Sequence, residues 1–323
     1  MTLRVGLLST ARINAKLAAG ARESSRTTVV AIASRQLERA RAQARELGVE
    51  RAHGSYEALL ADPEVDAVYI SLPNEMHHEW TMHAIAAGKH VLCEKPYSRS
   101  AAEVQTAFDA AAAAGVIVAE AFMWRHHPQA LKLAELVSGS AIGKLRLVRA
   151  AFSFLLDDPR DVRLLEELDG GGLMDVGCYC VSAVRMLAGE PVAVTAQQLH
   201  APSGVDRRLV ATLAHDGDVL SHLDCGLDLP DRSDLEVVGS EGVLRVSDPW
   251  HSRKTGITLV RGDGGEERFE IPAADPYGCE LDDLAGAIAG EHAPRLGVDD
   301  ALGQARTIHA LYAAASGGRR VEL

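Results

Sequence analysis

The chain has 323 residues and a formal charge of −12, with 47% hydrophobic and 24% charged residues. One hydrophobic core seldom grows past ~250 to 300 residues, so two domains are expected, and the composition is that of a folded chain, not a disordered one. The acidic balance argues against nucleic acid phosphates and anionic membranes as partners and leaves a small molecule.

The five cysteines, Cys93, Cys178, Cys180, Cys225 and Cys279, are an odd set in a large chain, and no apolar leader segment precedes Val5. A reducing cytoplasm is the expected home. Every apolar run is broken by Arg, Glu, Asp or His before the ~18 residues a spanning helix needs.

Short apolar runs alternate with helical stretches over the first part of the chain, the pattern of βαβ units on a parallel sheet. Arg4–Ser9 is predicted as a strand, Ala11–Arg22 as a helix, Thr28–Ala33 as a strand, and Gln36–Leu47 as a helix closed by Gly48. Ser55 caps a short helix, and Asp62-Pro63 turns the chain into the strand Asp66–Leu72. Helix Met76–Ala87, strand His90–Glu94, helix Ser100–Ala114 and strand Val116–Ala121 complete the run. After Trp124 the order changes. A helix at Gln129–Ser138, a strand at Leu145–Leu155 and a helix from about Gly172 to Leu187 lead into consecutive strands at Val192–His200, Arg208–Ala214, Val219–Leu227 and Leu235–Val238. Strands in succession predict a mostly antiparallel sheet. Two helices, Cys279–Ala289 and Asp299–Ala315, close the chain. The expected fold is α/β: a dinucleotide-binding domain over 1–121 and an α+β domain with a large open-faced sheet over 122–323.

A dinucleotide enzyme places G-x-G-x-x-G where the first strand meets its helix, so that the backbone can approach the pyrophosphate. This chain has Ser9-Thr10-Ala11-Arg12-Ile13-Asn14, with all three glycines replaced. The hydroxyls of Ser9 and Thr10 offer donors to phosphate and the small residues leave the backbone amides of Ala11, Arg12 and Ile13 accessible; an ordinary helix cap is the alternative. The second strand ends in Ala33-Ser34-Arg35. An NAD enzyme carries Asp or Glu there, against the ribose 2′-hydroxyl; a hydroxyl followed by a guanidinium suits a 2′-phosphate. NADP(H) is therefore the expected cofactor, with NAD(H) as the second choice.

Glu94-Lys95-Pro96 ends a parallel strand at its carboxyl edge, where open α/β sheets bind ligands. With Leu72-Pro73-Asn74 followed by His77, and with Gly170-Gly171-Gly172-Leu173-Met174-Asp175-Val176-Gly177-Cys178-Tyr179, it resembles the glucose-fructose oxidoreductase / inositol dehydrogenase (Gfo/Idh/MocA) family over essentially the whole chain. Glu120-Ala121-Phe122-Met123-Trp124-Arg125 is similar to the branch with dimeric dihydrodiol dehydrogenase, D-xylose dehydrogenase and sugar 3-ketoreductases. The inositol branch has histidine where this chain has Tyr179.

The resemblance implies a Rossmann domain, an oxidoreductase acting on a sugar, keto-sugar, cyclic polyol or dihydrodiol, and Lys95 with Tyr179 as the catalytic pair. Spacing agrees for one part of the site: Asp175 and Tyr179 stand at i and i+4, on one face of a helix. A tyrosine with a pKa near ~10 needs a nearby ammonium to move protons at neutral pH, and Lys95 can serve as that ammonium or as the proton carrier itself. Pro73 and Asn74 are implied along the nicotinamide ribose, Leu72, Glu94 and Lys95 elsewhere at the cofactor, with His77 ordering the Pro73-Asn74 loop. Trp124 and Arg125 offer an aromatic face and a guanidinium to cofactor or hydroxylated substrate, or else pack a hinge.

His77-His78 and His126-His127 lack a Cys or carboxylate at motif spacing, so no metal is expected. The predicted helices of the second domain cover one face of its sheet, so a homodimer is expected. Two other functions fit the same motifs: a glycoside hydrolase that oxidises its substrate transiently with bound NAD, and a cofactor-binding regulator without catalysis.

Overall fold

The computed structural model describes residues 2–323, which form two compact units. The first runs to His126 and takes in Ala274–Leu302; the second comprises His127–Ala273 and Gly303–Leu323. A single cut between 121 and 122 therefore misses one return of the chain.

In chain order, the first unit starts with β1 (Leu3–Leu8), α1 (Asn14–Glu23), β2 (Thr27–Ala33), α2 (Leu37–Leu47), β3 (Arg51–His53), α3 (Tyr56–Leu60), β4 (Ala67–Ile70), α4 (His77–Ala86), β5 (His90–Glu94), α5 (Ala101–Ala114) and β6 (Val118–Ala121). All neighbouring strands pair in parallel, in the order β3-β2-β1-β4-β5-β6. This is the doubly wound Rossmann arrangement, whose order reverses between β1 and β4 and opens a ligand crevice at the carboxyl ends. Helices cover both faces, so β4 is buried at every residue, as parallel central strands are. Local chemistry fixes the helix ends: Ser55 and Ser100 accept from Ala58 N and Glu103 N at 3.1 and 3.3 Å, and Gly48 and Gly115 close α2 and α5 at φ 69° and 67°.

The second unit contains α6 (Pro128–Ser138), β7 (Leu145–Leu155), a π-helical turn at Leu173–Gly177 that continues into α7 (Cys178–Ala188), and the strands β8 (Pro191–His200), β9 (Asp206–His215), β10 (Val219–Gly226), β11 (Asp228–Gly239), β12 (Gly242–Val246), β13 (Ile257–Arg261) and β14 (Glu266–Phe269). The chain then forms α8 (Pro276–Ile288), α9 (Val298–Gly317) and β15 (Val321–Glu322). Nine strands make one mixed sheet in the order β14-β13-β12-β11-β7-β10-β9-β8-β15, antiparallel except for the β7–β10 pair. One face packs Val148, Ala150, Leu213, Leu223 and Cys225 inward, and α7 lies against β7 and β10. The other presents Val210, Leu220 and Leu199 at 47, 56 and 54% exposure, between Thr195, Thr212 and Arg149.

Helix α8 returns to the first unit and packs closely on α1. A Cβ on Gly20 of α1 would come within 2.5 Å of the Gly278 amide, so the two helices meet backbone to backbone. Asp275 caps α8 by accepting from Gly278 N at 2.9 Å, and Tyr277, Leu281 and Leu284 are buried. Among the described residues no helix is long and apolar enough to cross a membrane.

Candidate active site

The turn after β1 lies at the order-reversal point of the first sheet. Ser71 donates its hydroxyl hydrogen to Asn14 Oδ1 at 2.8 Å, so in the 2.7 Å contact between the two hydroxyls Ser9 is the donor. Ser9 Oγ in turn accepts from Ala11 N at 3.0 Å. This corrects the expectation that Ser9 offers its hydroxyl to phosphate: the hydrogen is spent on stapling β1 to β4. Asn14 extends the staple by donating to Ser9 O and Gln43 Oε1, both at 2.9 Å, and α1 begins only at Asn14, three residues later than expected. Thr10, Ala11 and Ile13 are part-exposed and Arg12 exposed on the crevice side of that staple.

At the end of β2, Ser34 is buried, and its Oγ accepts from Gln36 N at 3.3 Å, which turns the chain outward. Arg35 is exposed beside it, and both Arg35 and Arg39 lie close enough to Tyr56 to oppose the rise that burial imposes on its pKa. Arg39, one turn further along α2, is a second cation beside Tyr56 that no motif marks in the sequence. The group fits a ribose 2′-phosphate: a small hydroxyl residue where a carboxylate would repel it, and two guanidinium groups.

The loops after β4 and β5 are tied together by His77. Its ring nitrogens lie 2.9 Å from the carbonyls of Leu72 and Pro96, across 19 residues of chain. Burial, with the Lys95 ammonium adding to it, outweighs these carbonyls and lowers the His77 pKa to about 4. The ring is therefore neutral at pH 7 and donates to one carbonyl at a time. Pro73, Asn74, Glu94 and Lys95 flank this tie and are part-exposed. Tyr69 donates its hydroxyl to Glu94, whose other oxygen accepts from Lys95 N at 3.3 Å, and the Lys95-Pro96 peptide is cis. Glu280 on α8, missed in the sequence, is 2% exposed; burial and the charges of Glu94 and Asp283 push its carboxyl well above the ordinary range.

His77 carries a pH prediction. Its pKa is lowered by folding, so below ~6.5 the unfolded chain takes up a proton that the fold refuses, and stability falls as pH drops toward 4, by at most ~1.4 kcal/mol per unit. His126, lowered to about 3 by burial and by Arg295 and Arg125, acts in the same direction. Denaturation midpoints at pH 7 and 5 should fall less for His77→Gln than for the wild type; equal falls would contradict this account.

Trp124 is 1% exposed, and the Arg125 guanidinium lies 5.8 Å from its ring centre and 3.3 Å from Asp300. This corrects the expectation of an aromatic face offered to cofactor or substrate: the indole is sealed in packing, and the cation is held by a carboxylate. Arg125 keeps a part-exposed edge.

In the second unit, Asp175 and Tyr179 share one helical segment, but not one α-helix. Asp175 lies in the π turn and Tyr179 in the first turn of α7. Such an inserted residue is common at functional sites. Arg163, not foreseen from the sequence, donates from Nε to Asp175 Oδ2 at 2.7 Å. Tyr179 is 8% exposed and meets Phe152 edge-on, ring centres 5.3 Å apart, and Trp250 at 6.0 Å. Trp250 is fixed by an indole bond to Ala151 O at 3.0 Å. These two aromatics come from a strand and a loop remote in sequence, so no local signal announces them. None of the five cysteines is joined in a disulfide, and among the described residues no three metal-binding side chains gather.

Comparison with known proteins agrees with this architecture. Residues 3–122 match the model of the oxidoreductase family with an NAD-binding Rossmann fold, and residues 130–245 match the GFO/IDH/MocA C-terminal domain. The chain is 39% identical to D-xylose 1-dehydrogenase (NADP(+)) 2 of Haloferax volcanii over 98% of its length and 99% of that protein. In structure it is similar to aldose-aldose oxidoreductase from Caulobacter crescentus, TM-score 0.92 and 27% identity over the whole of both chains. A 3-ketoreductase from Actinomadura kijaniata, in complex with NADP and TDP-benzene, gives 0.91 and 30% over 97% of this chain and 98% of that one. The parallel dinucleotide sheet, the Glu94-Lys95-Pro96 strand end and the two matching family models together assign the chain to the Gfo/Idh/MocA family of NAD(P)-dependent oxidoreductases.

Proposed function

We propose that the chain is an NADP(H)-dependent oxidoreductase that interconverts a CH–OH carbon of a sugar or cyclic polyol with its carbonyl. The observation that carries this reading is Lys95 at the carboxyl end of β5, on the edge where a doubly wound sheet binds its ligand. Similarity to proteins named for D-xylose oxidation, aldose–aldose oxidoreduction and sugar 3-ketoreduction supports a sugar as substrate.

Thr10, Ala11, Arg12 and Ile13 would hold the pyrophosphate, Ser34, Arg35 and Arg39 the 2′-phosphate, and Pro73 and Asn74 the nicotinamide ribose. When bound, nicotinamide supplies the hydride acceptor or donor at its C4. The protein's own task is the proton. In oxidation, Tyr179 takes the hydroxyl proton as the hydride leaves carbon; in reduction it returns it. Lys95 stabilises the phenolate that this requires, and Asp175, held by Arg163, accepts a hydrogen bond from a substrate hydroxyl and orients the ring.

A panel of aldoses, keto-sugars and trans-dihydrodiols, assayed with NADP⁺ or NADPH by absorbance of the reduced nicotinamide, tests this. Turnover with a sugar is expected; reaction of none of them would sink the proposal.

The chain is further proposed to form a homodimer through the open face of the nine-stranded sheet, whose exposed Leu199, Val210 and Leu220 are flanked by polar neighbours. Light scattering at micromolar concentration should give twice the chain mass for the wild type and the single mass for Leu220→Arg. A monomeric wild type would refute it.

A further inference from the structure

Two of the three glycines before the π turn, Gly171 and Gly172, stand against one buried carboxylate. Asp206, at the start of β9, is 2% exposed. Its Oδ2 accepts from Leu173 N at 2.7 Å, the first amide of the π turn, and its Oδ1 accepts from the Tyr312 hydroxyl at 2.7 Å. A Cβ on Gly171, where φ is +128°, would lie 2.2 Å from Oδ1, and one on Gly172 would lie 3.3 Å from Oδ2. A Cβ on Gly170 would lie 2.4 Å from Arg163 O. At Gly171 no side chain fits between this carboxylate and the backbone it holds, and at Gly172 one would be tight.

We propose that Asp206, clamped by Tyr312, is a positioning residue for the reaction: its two accepted hydrogen bonds fix the start of the helical segment that aims Asp175 and Tyr179. The proposal rests on Tyr179 as the proton carrier. Neither residue touches the reacting atoms; they act through the Leu173 amide and the turn that follows.

The groups facing Asp206 are Tyr312 on α9 and the Leu173 amide, with His200 on β8 and Cys225 on β10 in electrostatic reach; Asp169 faces Tyr312. Burial raises the Asp206 pKa to about 6 against the bonds from Tyr312 and Leu173, which lower it. A protonated carboxyl gives up one of its two acceptor positions, so the clamp loosens as pH falls through about 6. The sign for overall stability is opposite. A carboxyl whose pKa is raised by folding favours the fold when protonated, so the charge is carried at neutral pH at a cost to stability. That separates positioning from support: Asp206→Asn should leave the melting temperature unchanged or higher while it degrades the site.

The test is hydrogen exchange of the whole chain by mass spectrometry at pH 8 and 5.5, corrected for intrinsic exchange, on the wild type, Asp206→Asn and Tyr312→Phe. In the wild type, protection of residues 173–179 should fall about 10-fold between pH 8 and 5.5, the scale of one hydrogen bond to a charged group. Asp206→Asn should show the weaker protection at both values. Tyr312→Phe, which removes a donor to the carboxylate, should move the transition to higher pH. Peptides of α4 should exchange alike in all three. Turnover of Asp206→Asn should fall about 10-fold at pH 8 with the cofactor KM unchanged. Equal protection of 173–179 in the wild type and Asp206→Asn would overturn the proposal. So would a lowered melting temperature with protection lost in α4 as well, which marks a merely structural residue. If Tyr179→Phe kept full turnover while Asp206→Asn loosened 173–179 and slowed turnover, the positioning role would stand and the assignment of the proton to Tyr179 would fall.

Discussion

Tyr179→Phe should lower turnover by ~10² to 10⁴, the usual contribution of a positioned acid or base, while cofactor binding and folding stay near normal. The substitution keeps the ring against Phe152 and Trp250 and removes only the hydroxyl. Lys95→Met should cost a similar factor. The double variant should lose far less than the product of the two, because groups that act as one unit are not additive. Independent, multiplicative losses would mean that the two do not share a proton step. Near-normal turnover of Tyr179→Phe, in a step limited by chemistry, would pass the proton to Lys95 or water.

Arg35→Ala should weaken NADP(H) by about 10- to 100-fold and NAD(H) hardly at all, since a charge-assisted hydrogen bond to phosphate contributes ~1.5 to 3 kcal/mol. Arg39 lies near the same Tyr56 hydroxyl, so the pair of substitutions should cost more than either alone. Ser34→Asp restores the carboxylate typical of an NAD enzyme and should reverse the preference. Titration of each variant with both cofactors measures this, and equal losses for NADP(H) and NAD(H) would remove the 2′-phosphate from this corner.

The parallel half of the fold was legible because its strands are apolar and its helices are punctuated. Strand β5 begins and ends where the residues say, and Gly48, Gly88 and Gly115 take the positive φ their positions foretell. Long β7 is equally plain. The strands missed are interior β12 and β13 as well as edge strands β3, β14 and β15. Arg51–His53 and Glu266–Phe269 are short and polar, and β11 carries Asp228, Pro230, Asp231 and Asp234 ahead of the apolar stretch that announced it. No periodicity signals a π turn, whose single extra residue shifts the helix between Asp175 and Tyr179.

The site was legible where chemistry is local and hidden where it is not. Lys95 and the Ser34-Arg35 strand end stand in contiguous motifs. Ser9 looks like a phosphate donor in sequence because its partner, Ser71, is 62 residues away. Arg163 reaches Asp175 from a short 3₁₀ turn, and Asp206 stands against Gly171 and Gly172 from a strand. Trp124 stands beside Arg125 in sequence, and nothing local reveals that its indole is buried.

The most direct test of the central claim uses the most rapidly oxidised aldose of the panel, carrying deuterium at the carbon that is oxidised. With NADP⁺ in excess, each sugar oxidised should yield one reduced nicotinamide bearing the label at C4, accumulating in step with the carbonyl product and slowed by the same factor as turnover in the Lys95→Met, Tyr179→Phe double variant. Consumption of the sugar with the label returned to carbon and no net reduced nicotinamide would contradict the account, because the hydride would then be borrowed and not transferred.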